Sequence, residues 1–263
     1  MKEFELGIYE DLTYEEYDAI TYKGKKARRS HDLTAASKCP YSWKNQKAME
    51  QTPALLEGRV QHTTFLEHHK FDTEFVIQPN VDRRTKAGKA DYEDFLASVG
   101  NRTPITQDLY DLCMKRRELV KEYIPSETDK VELTLVFEWH GEPFKARMDW
   151  YDGEYVWDLK TCRDASPRGF KQAINAFNYH MQAALYVDAA RALDLPAKGF
   201  KFLAQEKQDP YPFVVYSMHP EALKYGQAKN QQALKTILEC EAKDEYKPYN
   251  LDGEQEIGLK DLY

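Results

Sequence analysis

The sequence predicts an α/β protein in which a central mixed β-sheet, an antiparallel meander plus further strands, is flanked by helices. Three observations predict it. The stretch from Lys130 to Lys160 is rich in aromatic and β-branched residues and carries two hairpin-type turns. The segments on either side of it repeat apolar residues with helical spacing. Two more β-type runs then separate the last two helices, and such an alternation builds a sheet covered by helices. Proline and glycine are scattered singly and no internal repeat occurs, so the 263 residues are expected to form a single domain.

Taken in order, Met1 to about Asn80 reads as short helices and loops. Ala90–Val99 and Gln107–Tyr123 have helical spacing, the second with Leu109, Leu112, Cys113, Arg116, Leu119, Val120 and Tyr123 on one face and Pro125 as its stop. Strands are expected at Val131–Trp139, Phe144–Tyr151 and Glu154–Lys160, with turns at His140–Pro143 and Asp152-Gly153. Pro167 opens one long helix to about Leu193. Its apolar stripe is Phe170, Ile174, Phe177, Met181, Leu185 and Ala189, with Tyr179, Gln182 and Tyr186 near the stripe's edge. Strands at Gly199–Ala204 and Phe213–Met218 and a helix from Pro220 to about Ala242 complete the pattern, with at least one crossover after Lys160.

Composition narrows the class. With 42% hydrophobic and 31% charged residues the chain is a soluble globular protein rather than a disordered one. The N-terminus lacks a basic segment followed by an apolar one, and no run of eighteen apolar residues occurs, so the expected location is the cytoplasm, with no membrane contact. Cys39, Cys113, Cys162 and Cys240 are far apart, which implies neither a zinc site nor a disulfide framework. The net charge of −7 argues against a protein that coats nucleic acid through bulk attraction. Any polyanion contact must use the local basic clusters at Lys23–Arg29, Arg83–Lys89 and Lys115–Lys121, which could equally be solvated surface.

The hairpin carries charged residues where a core is expected. A two-residue turn at Asp152-Gly153 places Asp149 opposite Val156 and Arg147 opposite Asp158, so that Asp149, Asp158 and Lys160 share a face. Diagonal neighbours lie about 7–8 Å apart at the backbone, a span that two carboxylates bridge to one cation at about 2.1 Å from each oxygen, which suits Mg²⁺. A two- or four-residue turn over Gly141-Glu142 adds Glu132, Thr134 and Glu138 to that face, whereas a three-residue turn excludes them. The competing reading pairs Asp149 and Asp158 with Arg147 and Lys160 in a half-exposed sheet. Against it, Tyr155, Trp157 and Leu159 on the opposite face are apolar and must be packed, so the charged face lies where a second layer would bury it.

Asp149, followed after eight residues by Asp158-Leu159-Lys160, resembles the D…(D/E)xK signature of the PD-(D/E)xK nuclease superfamily, with Met148 where proline is usual. "QAALY", Gln182 to Tyr186, is similar to the QxxxY motif of RecB-like nucleases. "EGRVQHTTFLE" resembles the GxxxH helix of RecE-type exonucleases, with His62 at the histidine position, and "DRRTKAGKADYEDFL" looks like that family's Arg-Arg-Thr loop. The similarity runs from about Leu33 to Cys240. It identifies the chain as resembling the RecE-like (exonuclease VIII type) phage recombination exonucleases and, more distantly, lambda exonuclease.

The resemblance implies a nuclease domain over 1–263, with DNA-end contacts in 1–80 and a catalytic core in 130–242. It implies Mg²⁺, with Mn²⁺ able to substitute, and 5′-to-3′ digestion of linear double-stranded DNA that leaves 3′ tails for strand annealing. The metal ligands would be His62, Asp149, Asp158 and the Leu159 carbonyl. Glu132 would bind a second cation or orient water, and Lys160 would deprotonate the attacking water or offset charge. Gln182 and Tyr186, one helical turn apart, would face a phosphate or base. Arg83, Arg84 and Lys86 would contact phosphates, as would Ser37 with either Arg28 or Arg29 at a 5′-phosphate pocket. A ring-like homo-oligomer, a single-strand annealing partner and a phage or prophage origin in a bacterial host are also implied. Two other readings stay open: another RecB-like repair or CRISPR-associated nuclease, whose iron–sulfur cysteines are missing, and an idle DNA-binding or assembly protein, which would be expected to lose one of Asp149, Asp158 and Lys160.

Overall fold

The computed structural model describes residues 3–47, 51–249 and 256. Six strands form the main sheet in sequential order: β1 (Gly7–Tyr9), β2 (Lys130–Trp139), β3 (Glu142–Tyr151), β4 (Tyr155–Cys162), β5 (Gly199–Glu206) and β6 (Phe213–Ser217). Every neighbouring pair is antiparallel except β4 and β5, which are parallel. A parallel pair needs a crossover, and the helices after Pro167 supply it, so the sheet is mixed as expected. Strand β1 was not predicted; three residues carry too little pattern to be read.

Seven longer helices accompany the sheet: α1 (Ser30–Lys38), α2 (Pro53–Leu66), α3 (Lys86–Ser98), α4 (Gln107–Leu119), α5 (Pro167–Phe177), α6 (Tyr179–Ala192) and α7 (Pro220–Lys243). One face of the sheet, with Leu133, Leu135, Ala146, Met148, Phe200 and Phe202, is covered by α6, with α1 and α7 stacked against that helix. The other face, with Trp150, Trp157, Leu159 and Leu203, is covered by Phe65 and Leu66 of α2 and by Val120 just beyond α4. Trp150 and Trp157 stack there with ring centroids 5.0 Å apart. Helix α4 is pinned by a buried arginine from the third basic cluster: Arg116 donates to Glu57 at 2.8 Å and to the Lys207 carbonyl. Among the described residues no helix is long and apolar enough to cross a membrane.

Three expectations need correction. The long helix after Pro167 is two, because Asn178 adopts left-handed φ 56° between α5 and α6, and Phe177 is turned out to solvent instead of joining the apolar stripe. The β2–β3 turn consists of His140 and Gly141, both at positive φ, rather than Gly141-Glu142, so Trp139 pairs with Glu142. The β3–β4 turn has four residues rather than two. The Asp152 carboxylate accepts the Glu154 and Tyr155 amides at 2.9 and 2.6 Å and the Trp157 indole at 2.7 Å, and Tyr151 therefore pairs with Val156.

Helix α7 crosses α6 at a glycine. A Cβ on Gly226 would lie 2.2 Å from the His180 carbonyl oxygen and 2.9 Å from Ala184 Cβ, closer than packed atoms approach. Gly226→Ala is expected to force the helices apart and to cost about 1–3 kcal/mol, read as a lower urea midpoint at unchanged slope.

Candidate active site

Strands β3 and β4 pair only at their turn-proximal ends, Trp150 with Trp157 and Tyr151 with Val156. Beyond that point β4 continues beside β5 and β3 beside β2, so the sheet splits. The Leu159 N–H points into the split, and Asp149 Oδ2 accepts it at 2.6 Å. A backbone donor there needs a partner, and the carboxylate is that partner. Across β3, the ladder to β2 skips Glu132 and Asp149, and Glu132 takes left-handed φ 49°. The alternation of the two strands resets at this point, for Val131 and Trp150 pack with one core cluster and Leu133 and Met148 with the other. Thr134 and Glu138 therefore do not join the site as the hairpin arithmetic predicted. Thr134 is buried and accepts the Arg147 guanidinium at 3.1 Å, and Glu138 lies 3.5 Å from Lys23.

His62, on α2, completes the group. One ligand atom each from His62, Glu132 and Asp149 lie within 4.8 Å of one another. The His62 Nε2 is 3.2 Å from the Leu159 carbonyl oxygen, and its Nδ1 is 3.7 Å from Asp149 Oδ2. Two carboxylates, an imidazole and an adjacent carbonyl form an oxygen-rich donor set that fits a hard divalent cation, Mg²⁺ or Mn²⁺. Asp158 stands apart from this group. Its side chain is 2% exposed and is held by Lys160 Nζ at 2.6 Å and Gln182 Nε2 at 2.7 Å. The geometry thus gathers Glu132 with His62 and Asp149, while Asp158, implied as a further ligand, faces Lys160 and still acts on Asp149 through its charge. The expected Arg147–Asp158 opposition is absent, since Arg147 donates to Thr134 and to the Leu12 carbonyl.

The electrostatics follow from crowding acids out of water. Burial, then the charge of Asp149, pushes the Glu132 carboxyl up to about 8. Burial and the charge of Asp158 push Asp149 up to about 6, against the pull of His62, Lys160 and the Leu159 amide. For Lys160, burial favours the neutral amine, but the Asp158 and Asp149 carboxylates outweigh it and raise its pKa, so it stands as an ammonium. Burial raises the Tyr186 phenol, and Gln182, one helical turn before it on α6, donates to Asp158, which makes Gln182 the link between Asp158 and α6.

The other residues singled out lie as follows. Tyr186 is buried in the core cluster, and Gln182 points at Asp158. Arg28 is clamped by Glu241 through two hydrogen bonds of 3.0 and 2.7 Å, with Glu142 at 3.6 Å, so its guanidinium is committed to carboxylates. Arg29 is more open, 3.3 Å from Asp18, and Ser37 donates to the Thr34 carbonyl. Arg83 stacks on Tyr92 at 4.6 Å, Arg84 pairs with Asp82 at 3.0 Å, and Lys86 is exposed at the start of α3. Sequence reasoning gave no site role to Tyr179, whose ring lies 4.8 Å from Lys160 Nζ; its position one helical turn before Gln182 was the available signal. It also missed a chamber of about 180 Å³ beside Glu132, walled by Tyr14, Arg147, Lys70 and Glu74, whose residues are scattered along the chain.

Because the site's carboxyls hold protons below about 8 and about 6, a cation must displace them, and its affinity falls as pH falls. Without a cation the sign for stability is that of raised acids: Glu132 contributes fully below its ordinary value near 4.5, and its contribution is lost as pH rises through about 8. Mg²⁺ is therefore expected to raise Tm strongly at pH 8.5 and little at pH 5.5, and Glu132→Gln to flatten the difference; a shift independent of pH would contradict the assignment.

Residues 30–252 match the family described as "PDDEXK-like domain of unknown function (DUF3799)". A crystal structure from Eubacterium rectale described as "Putative exonuclease" superposes with a TM-score of 0.61 at 15% identity, covering 97% of this chain and 98% of that one, which shows a shared fold. SSO0001 overlaps at 13% identity over 85% of this chain and 81% of that one, with a TM-score of 0.35, too low to support any argument. No curated protein matches the chain. The split sheet with its acids, the lysine beside them and the family match over most of the chain lead to one statement: the chain belongs to the PDDEXK-like DUF3799 family, within the PD-(D/E)xK nuclease superfamily.

Proposed function

We propose that the protein is a divalent-cation-dependent exonuclease of the RecE-like type, which digests linear double-stranded DNA from 5′ ends and leaves 3′ tails for recombination by strand annealing. The observation that carries the reading is the convergence of His62, Glu132 and Asp149 beside the Lys160–Asp158 pair. The E. rectale structure, described as a "Putative exonuclease", supports it through the shared fold. On this reading the partners are DNA ends, a single-strand annealing protein and further copies of the chain in a ring, in the cytoplasm of a bacterial host carrying the phage or prophage.

Hydrolysis of a phosphodiester joins a water oxygen to phosphorus, breaks the bond to the leaving oxygen and returns a proton to that oxygen. A bound Mg²⁺ would supply Lewis acidity, lowering the pKa of water and neutralising phosphate charge. Glu132, Asp149, His62 and the Leu159 carbonyl would hold it. Lys160, kept charged by its two carboxylate neighbours, donates hydrogen bonds rather than accepting a proton, so its part is to orient the attacking water or to neutralise a non-bridging oxygen. Asp158 and Gln182 hold that ammonium in place.

Duplex labelled at one 5′ or one 3′ end, incubated with Mg²⁺ or EDTA beside a closed circle, tests the reading. Early Mg²⁺-dependent release of the 5′ label with the circle intact is expected; circle cleavage would indicate an endonuclease, and no digestion an idle DNA-binding protein. Asp149→Ala and Lys160→Ala should each lower turnover by about 10²-fold or more while the folded protein still binds DNA, with a lower Tm because each change orphans a buried partner, the Leu159 amide or the Asp158 carboxylate; normal turnover by either variant would remove that residue from the site.

A further inference from the structure

The break between α5 and α6 is a single residue, Asn178, and it sets two aromatic rings together. Phe177 and Tyr179 stack with centroids 5.5 Å apart and planes at 24°. Tyr179 carries Lys160 on its ring, 4.8 Å away, so the pair lies immediately beside the acids of the split sheet. Phe177 is 61% exposed, an unusual place for a large apolar side chain on a helix whose other aromatic, Phe170, is fully buried. The ridge is braced: Asn178 is buried, and Lys38 of α1 donates to the Ala176 carbonyl at 2.8 Å.

Two clefts meet at this ridge, and Phe177 and Tyr179 line both. One, of about 700 Å³, holds Arg163 and Lys207; the other, of about 460 Å³, holds His31 and Lys38. Each is in the size range that receives a nucleotide-sized ligand. Among the described residues neither Arg163 nor Lys207 forms an ion pair with a carboxylate, and the acid in the first cleft, Asp164, accepts the Ser166 amide at 2.8 Å. In a chain of net charge −7, a flat aromatic platform between a cleft carrying Arg163 and Lys207 and one carrying Lys38 matches a ligand that alternates stacking bases with phosphates.

We propose that Phe177 is a strand-parting residue: it stacks on the terminal base pair of a duplex end and directs one strand into each cleft, so that the strand to be cut reaches Lys160 unpaired. The inference rests on the exonuclease reading above and adds to it the element that opens the end. Phe177 acts on the substrate's bases, not on the phosphate, and its contribution vanishes when the end is already open.

The test compares a blunt duplex with the same duplex carrying an unpaired, forked end, both digested with Mg²⁺ by the full chain as wild type, Phe177→Ala and Phe177→Trp. Phe177→Ala should lose roughly 10- to 100-fold in kcat/KM on the blunt end, the worth of one stacked base, and stay near wild type on the fork, while Phe177→Trp restores the blunt end. Equal loss on both substrates, or loss on neither, overturns the proposal while leaving the exonuclease reading standing. In EDTA, 2-aminopurine at the terminal pair should change fluorescence on binding wild type but not Phe177→Ala at matched occupancy; the same change with both overturns it independently of turnover. A wild-type protein that neither binds nor digests any of these DNAs overturns the exonuclease reading itself, and the ridge's role with it.

Discussion

The parting of β3 from β4 at Asp149 is the constraint on which the rest of the site depends. A continuous ladder would have satisfied the Leu159 amide with backbone and would have left Asp149 and Asp158 as facing acids on a closed sheet. The split instead gives Asp149 a fixed bond to that amide at 2.6 Å and turns the Leu159 carbonyl toward His62 at 3.2 Å. It is enforced from both sides: Trp150 and Trp157 lock the turn-proximal end, and Glu132, at positive φ, breaks the other ladder opposite Asp149. A positive φ in a non-glycine residue costs of order 1–3 kcal/mol and persists where the surroundings over-determine it, here two core clusters that claim alternate residues on each side.

The electrostatic consequence is division of labour between two acids that the sequence alone presents as equivalents. Asp149 shares its environment with Glu132 and His62, and burial, reinforced by the charges of neighbouring carboxylates, leaves proton-holding groups that a divalent cation can replace. Asp158 is paired with Lys160 and with an amide from α6, and its charge together with that of Asp149 keeps the lysine an ammonium. On the proposed reading two cationic devices would converge on the same point, one fixed and one exchangeable, as the hydrolysis of a phosphate diester requires.

Much of this was legible in the sequence, for physical reasons that can be named. The sheet and its charged hairpin were readable because strand alternation survives an error in turn length: both turns were misassigned, each shifting the register by two residues, and a shift of two preserves the face. The faces of Thr134 and Glu138 failed because one left-handed residue, Glu132, resets the alternation, and no pattern announces it. The Asn178 break was hidden by an apolar stripe that continues across it. Arg28 looked like a free cation because its partner, Glu241, is 213 positions away. Local periodicity reports local structure; pairings over such distances exist only after folding.

The most direct test of the account is the position of the cation. Crystals of the full chain soaked in Mn²⁺ and measured at the manganese absorption edge would show it by anomalous scattering. The account predicts a peak about 2.1–2.3 Å from carboxylate oxygens of Glu132 and Asp149, adjacent to His62 and the Leu159 carbonyl, with Lys160 still paired to Asp158. A peak held by Asp158 with Glu132 left unengaged, or no peak in the split sheet at all, would contradict it.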